Sequence, residues 1–336
     1  MLNTKDVVAE WTERLRGQVS RFLDFEGDNP AQVVNNLDWT GDLTTIDFLR
    51  EMGKHYRLGT MLAKDTVARR LNSEQGISFT EFSYQILQGI DFRELYLRHG
   101  CTLQTGGNDQ WGNLLSGVEL IRKTEGASVH VLTTPLITKA DGTKFGKTEG
   151  GAVWLDADMM SPYAFYQFWV NADDADVVRF LKIFTFRTRD EIEALEAAVR
   201  ERPGAREAQR ALAADVTTLV HGAAATDAVI AASQALFGRG DLEGLDEATL
   251  AASVAELPRA DVAAGTPVVD ALVSSGLVAS KGAARRAVAE GGAYVNNVKV
   301  TDPEGTLGAD QLLHGRFAVL RRGKRTLGVA VAEGVR

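Results

Sequence analysis

Cys101-Thr102-Leu103-Gln104-Thr105-Gly106-Gly107-Asn108-Asp109-Gln110-Trp111-Gly112 opens the stretch that decides the fold, which runs on to Pro135. Cys101 to Gln104 reads as a strand, Thr105 to Gly112 as a glycine-bearing loop, and Asn113 to Lys123 as a helix. Val129 to Thr133 reads as a second strand, ended by Pro135. Strand, helix, strand at this length is a βαβ unit, so the two strands are expected to be parallel. The loops Gly106–Gly112 and Thr138–Thr148 then leave the carboxyl ends of adjacent strands, the edge where open α/β sheets bind ligands.

Upstream, Ser78-Phe79-Thr80-Glu81 is a capping box that starts a helix. On that helix Tyr84, Gln88 and Asp91 fall at i, i+4 and i+7, one face, while Phe82, Ile86 and Ile90 occupy another. A phenol, an amide and a carboxylate in line beside an apolar stripe suit the wall of a cavity. Spacing alone equally allows three side chains facing water. Further upstream, Val8, Trp11, Leu15 and Phe22 share a helical face, with Thr4 placed to cap it. Val33 and Val34, followed by Asn35-Asn36, read as a short strand and turn, and Ile46, Phe48, Leu49 and Met52 as another helix.

Downstream, Ala140-Asp141-Gly142-Thr143-Lys144-Phe145-Gly146-Lys147-Thr148 carries two lysines three apart among glycines, a pattern able to grip adjacent phosphates. It lacks the spacing of a phosphate-binding P-loop, and a solvated basic turn is the plainer reading of the string in isolation. From Thr185 to Gly265 the chain is alanine-rich and helical, broken at Pro203-Gly204, His221-Gly222 and Gly238. Leu257 to Pro267 reads as a linker. Ser280 to Glu290 then forms a helix that places Lys281 and Arg285 one turn apart. Asn296-Asn297 marks a hairpin between Ala293–Val295 and Val298–Val300. Phe317 to Val331 reads as two strands flanking Arg321-Arg322-Gly323-Lys324-Arg325.

Charge follows the same division. Of 336 residues, 1–265 carry 27 basic and 39 acidic side chains, whereas 266–336 carry 10 basic and 6 acidic. A basic tail on an acidic body suits a module that meets phosphate backbones, although a solvated cationic face has the same composition. One cysteine, Cys101, excludes an internal disulfide and is expected to lie buried in its strand. The five histidines stand singly, so no metal site is expected. No apolar run reaches spanning length, which argues against a membrane role.

Taken together, Gln104-x-Gly106-Gly107-x-Asp109-Gln110-Trp111-Gly112-Asn113, the lysine loop and Tyr84-x-x-x-Gln88-x-x-Asp91 resemble the bacterial tyrosyl-tRNA synthetases. The resemblance runs from the first helix to the C-terminus. It implies an α/β fold: a partial Rossmann-type parallel sheet in residues 1–186, an α-helical domain in 187–265, and a small α+β RNA-binding module of the ribosomal-protein S-four type in 266–336. It implies a cytoplasmic homodimer that activates L-tyrosine with ATP and Mg2+ and transfers it to tRNA(Tyr). By the same resemblance Lys144, Lys147 and Thr148 are catalytic, with Lys147 also contacting ATP. Tyr84 and Gln88 receive the substrate amino group, Asp91 its phenol, and Gln110 lies near its carboxylate. Gln104 and Asp109 support these side chains, and Lys281, Arg285, Arg321, Arg322, Lys324 and Arg325 meet RNA. A synthetase of another amino acid is disfavoured by Asp91, which an apolar substrate would leave unpaired.

None of the histidines stands in the H-x-G-H pattern with which the family's nucleotide half meets ATP phosphates. The chain is therefore expected to lack that N-terminal segment and one wall of the ATP crevice. An RNA-binding paralogue without ATP chemistry is the alternative reading.

Overall fold

The computed structural model describes residues 4–143, 145–148, 151–238, 240–263, 265–323 and 326–334, with backbone alone for Asp65, Thr66, Lys147, Thr148 and Gly151. The chain divides into two compact units, Met1–Phe145 and Gly146–Arg336.

The first unit opens with α1 (Lys5–Val19), whose Thr4 cap accepts from the Val7 amide. Its apolar side chains Val8, Trp11 and Leu15 stay about half exposed. Residues 33–34 form no strand, for no neighbouring segment among the described residues pairs with their backbone, and a strand without a partner leaves its amides unsatisfied. The chain instead turns into the short helices α2 (Leu37–Thr40) and α3 (Thr45–Asp47), the latter continued by a wider-wound turn over Phe48–Met52. After α4 (Leu58–Leu62) and α5 (Asp65–Leu71) comes α6 (Phe79–His99), started by the Ser78/Glu81 capping box and stopped by Gly100 at φ 65°.

The strand–helix–strand unit forms as β1 (Leu103–Gly107), α7 (Trp111–Thr124) and β2 (His130–Thr134). The strands are parallel, with Leu103 opposite His130 and Gly107 opposite Thr134. The bounds differ from expectation by one to three residues. Gly106 and Gly107 belong to the strand, which leaves only a 3-10 turn over Asn108–Gln110 as the loop. Cys101 precedes β1 and is half-buried rather than buried in it, packing at the margin of the Phe92, Ile121 and Val129 cluster. α6 lies along α7, and Trp39 of α2 joins Ile90 and Leu120 in a second cluster.

The second unit begins with the ribbon β3 (Lys147–Thr148) and β4 (Gly151–Ala152). Helices α8 (Pro162–Val170), α9 (Asp174–Phe184), α10 (Arg189–Glu201), α11 (Glu207–His221), α12 (Ala223–Leu236) and α13 (Glu247–Val254) follow. The breaks fall where glycine and proline placed them. The expected linker instead contributes β5 (Arg259–Val262), which pairs in parallel with the last strand. After α14 (Val268–Ser274) and α15 (Lys281–Ala289) come β6 (Ala293–Val295), β7 (Val298–Lys299), β8 (Phe317–Arg322) and β9 (Thr326–Ala332). The five-stranded sheet has order β5-β9-β8-β6-β7. Asn296 and Asn297, both at positive φ, make the β6–β7 turn, as two-residue hairpins of this hand require.

Both faces of this sheet are covered. Ala318, Leu320 and Ala330 pack toward α14 and α15, while Phe317, Val319, Val329 and Val331 pack with Leu236, Leu250 and Val254 of the helical region. Double coverage explains why β8 and β9 read as continuous apolar runs rather than alternating ones.

Candidate functional site

The site is built on α6 and on the turn after β1. Helical periodicity puts Tyr84, Gln88 and Asp91 on one side of α6, with Tyr84 exposed and Gln88 and Asp91 half-buried. On either flank of that side the helix is committed to the core, through Ile90 and Phe92. Asp91 is held by two donors: the Trp39 indole Nε1 at 2.8 Å on Oδ1 and the Asn36 amide Nδ2 at 3.2 Å on Oδ2. Neither donor was singled out in the sequence, where Asn35-Asn36 carried only a turn signal. Asn35 does turn the chain, accepting from the Leu37 amide at 3.0 Å, and that turn delivers Asn36 and Trp39 to Asp91.

At the carboxyl end of β1 two side chains close on the strand. A side chain on Gly107 would meet Asp109 Oδ1 at 2.8 Å and Leu136 Cδ2 at 2.9 Å, so both would have to shift to admit one. The same contact shows that the segments leaving β1 and β2 touch, as the parallel topology requires. Gln110 accepts from Asn113 Nδ2 at 3.2 Å and so stays at the mouth of α7. Gln104 lies within β1, and its buried Oε1 has no hydrogen-bond partner among the described residues. Lys64 fixes the first turn of α7 by donating to Gly112 O at 2.6 Å and Ser116 Oγ at 2.8 Å, and burial lowers its pKa. Sequence spacing gave no sign of this lysine, because its partners lie on another helix.

The lysine loop is a tight turn. The Lys139 amide donates to Thr143 O at 2.8 Å, and Gly142 takes φ 82°. Asp141 Oδ1 accepts from the Thr143 hydroxyl at 2.6 Å and its amide at 2.8 Å, and these bonds hold the Asp141 carboxyl below the usual range. Lys144 lies outside the described residues. Lys147 and Thr148 are placed by backbone in β3, and their side chains lie outside the description.

In the second unit the expected basic residues differ in how they are engaged. Lys281 pairs with Asp270 at 2.7 Å and Arg285 with Glu304 at 3.2 Å. Arg321 instead sits over Tyr294, its Cζ 3.8 Å from the ring centroid, and donates to Gly323 O. Arg322 donates to Leu277 O at 3.3 Å, and Lys324 and Arg325 lie outside the described residues. Arg321 also borders a cleft of about 1100 Å³ with Tyr166, Asn171, Arg206, Arg210 and Phe237. Arg206 and Arg210 carried no signal in an acidic helical stretch, and folding alone brings them to the basic module.

The chain matches known proteins over most of its length. The family described as tRNA synthetases class I (W and Y) matches residues 1–238, and the tyrosine–tRNA ligase SYY-like C-terminal domain matches 249–329. The tyrosine–tRNA ligase of Streptomyces avermitilis is 63% identical over 99% of this chain and 79% of its own length. That of Mycobacterium tuberculosis is 59% identical over 97% of this chain and 78% of its own. A C-terminally truncated mitochondrial tyrosyl-tRNA synthetase of Coccidioides posadasii superimposes with a TM-score of 0.52 at 32% identity. That match spans 65% of this chain and 64% of the other. Family matches across both units, with relatives 63% and 59% identical over nearly the whole chain, lead to one conclusion: the chain belongs to the tyrosyl-tRNA synthetase family of class I.

Proposed function

We propose that this protein joins L-tyrosine to tRNA(Tyr) in two steps, ATP-dependent formation of tyrosyl-adenylate followed by transfer to the terminal ribose. The observation that carries the reading is Asp91, a carboxylate on the polar side of α6 whose oxygens are oriented by Trp39 and Asn36. In the roles proposed, Asp91 accepts from the substrate phenol, Tyr84 and Gln88 receive the amino group, and Gln110 lies beside the carboxylate. Gln104 and Asp109 support them. Lys144 and Lys147, with Thr148, stabilise charge on departing pyrophosphate, and ATP arrives with Mg2+. Such a reaction needs no covalent intermediate, so the residues act by position and charge.

The helical region and basic module are proposed to take the tRNA, with Arg321 and Arg322 at phosphates and the Arg206–Arg210–Arg321 cleft as part of the same surface. The catalytic, helical and RNA-binding domains are assigned to 1–186, 187–265 and 266–336, and the protein to a cytoplasmic homodimer.

Tyrosine-dependent ATP–pyrophosphate exchange by the full-length protein tests the first step. Asp91→Ala is expected to compress the kcat/KM ratio of tyrosine to phenylalanine. Tyrosine against phenylalanine in this enzyme class is itself the standing example of discrimination by a hydrogen-bonded hydroxyl, so the direction alone is predicted. A ratio unmoved by the substitution removes Asp91 from the phenol site.

A further inference from the structure

α7 begins without a capping side chain: Gln110 stands at its N-cap and, among the described residues, makes no side-chain bond to the amides of the first turn. In α1, α6, α10 and α15 a threonine or serine fills that role. No apolar anchor holds the turn from within either, because Trp111 is about half exposed. A helix end left in that state frays.

Lys64, the residue before α5, supplies the hold from outside the helix. Its ammonium donates to Gly112 O at 2.6 Å and to Ser116 Oγ at 2.8 Å, and the Ser116 hydroxyl itself donates to Gly112 O at 3.0 Å. The lysine stem lies against the same turn, since a Cβ on Gly112 would meet Lys64 Cδ at 3.3 Å. Ser116 is buried, and the Tyr56 phenol donates to its carbonyl at 3.4 Å. The carbonyl two residues beyond Gln110 is therefore pinned from a different helix.

Stability does not account for this lysine. A cation against the first turn of a helix opposes the helix dipole, and burial of the ammonium adds a desolvation cost. Glu119, further along α7, offsets only part of it. A local rule broken beside a binding residue marks a positional role.

We propose that Lys64 is a positioning residue for the amino-acid substrate: by pinning Gly112 O it fixes the first turn of α7 and so sets Gln110 against the substrate carboxylate. The proposal rests on the reading that Gln110 lies beside that carboxylate. The bond Gln110 accepts from Asn113 Nδ2 at 3.2 Å lies within the same turn and moves with it, so Lys64 is what ties the turn to its surroundings. In a reaction run by placement, a small displacement of such a side chain is felt directly.

The probe is tyrosinol, which keeps the phenol and the amino group and carries a hydroxymethyl group in place of the carboxylate. Dissociation constants for tyrosine and tyrosinol are measured by equilibrium dialysis with the full-length protein and its variants. Lys64→Met keeps the length of the side chain and removes its donors. It should weaken tyrosine about fivefold, the worth of one hydrogen bond, and tyrosinol by less than about twofold. Equal weakening of both ligands marks a purely structural role and overturns the proposal, as does no change in either. Where Lys64→Met does not fold, Ser116→Ala decides. It removes one of the two acceptors of Lys64 and should move the tyrosine-to-tyrosinol ratio in the same direction, and an unmoved ratio overturns the proposal. Gln110→Ala separates the two levels: an unmoved ratio there refutes the carboxylate role of Gln110 itself. A ratio moved by Gln110→Ala but not by Lys64→Met refutes only the present inference.

Discussion

Phe92 and Gly117 meet face to face where α6 crosses α7: a Cβ on Gly117 would lie 2.8 Å from both Cβ and Cδ1 of Phe92. Phe92 is fully buried, so the ring has no solvent-side rotamer to retreat into. Closely packed interiors resist an added methyl. Gly117→Ala is expected to cost about 1–3 kcal/mol through overpacking. A urea titration reads this as a lower midpoint at constant slope. An unmoved midpoint would show that the two helices separate freely.

Lys147 opens β3, directly after Gly146 at φ 78°. If its ammonium acts mainly as pyrophosphate leaves, Lys147→Ala should slow adenylate formation by about a hundredfold while tyrosine affinity stays close to that of the parent. Single-turnover kinetics separate the two quantities. Equal loss in both would assign the lysine to ground-state binding, and no loss in either would leave it a solvated turn residue.

The basic module offers an internal contrast. Arg321 stacks on Tyr294 beside the cleft, whereas Lys281 and Arg285 face Asp270 and Glu304. Removing a phosphate-contacting arginine lowers the dependence of log affinity on log salt by about one unit. Arg321→Ala is therefore expected to flatten the salt slope of tRNA binding more than Lys281→Ala does. The reverse order would mean that Asp270 yields its partner to RNA.

Asp246 caps α13, accepting from the Thr249 hydroxyl at 2.6 Å and its amide at 2.9 Å. The hydroxyl bond first and the amide bonds next lower the Asp246 pKa below 3.8. A carboxyl depressed on folding contributes stability that is complete above its unfolded pKa and is lost as pH falls through the folded one. Asp246→Ala should then cost about 1 kcal/mol at neutral pH, the usual worth of such a cap. The gap between parent and variant should close as acid unfolding is followed below pH 3.8. A gap that persists in acid would locate the loss in packing.

Local chemistry determined much of this molecule from sequence alone. The Ser78/Glu81 box and the Thr4 cap formed as read, because each is satisfied by bonds within four residues, and the Asn296-Asn297 turn formed because asparagine tolerates the positive φ it needs. The parallel β1–β2 pair was equally legible, since one intervening helix allows no other direction. The helical face bearing Tyr84, Gln88 and Asp91 follows from periodicity.

What needed the tertiary structure is whatever depends on a partner distant in sequence. Val33–Val34 had strand propensity but no neighbour to bond, and β5 looked like a linker until β9 supplied one. Cys101 had an apolar context but fell short of the strand, so it is only half-buried. Asp91 gains Asn36 and Trp39 from more than fifty residues away, and Lys64 gains Gly112 and Ser116 from another helix. Lys281 and Arg321 are alike in a charge count, yet one faces a carboxylate and the other an aromatic ring. Periodicity states which side of a helix a residue occupies; only the packed chain states what it meets there, because a hydrogen bond or ion pair is decided by distances of a few ångströms between segments whose separation along the chain fixes nothing.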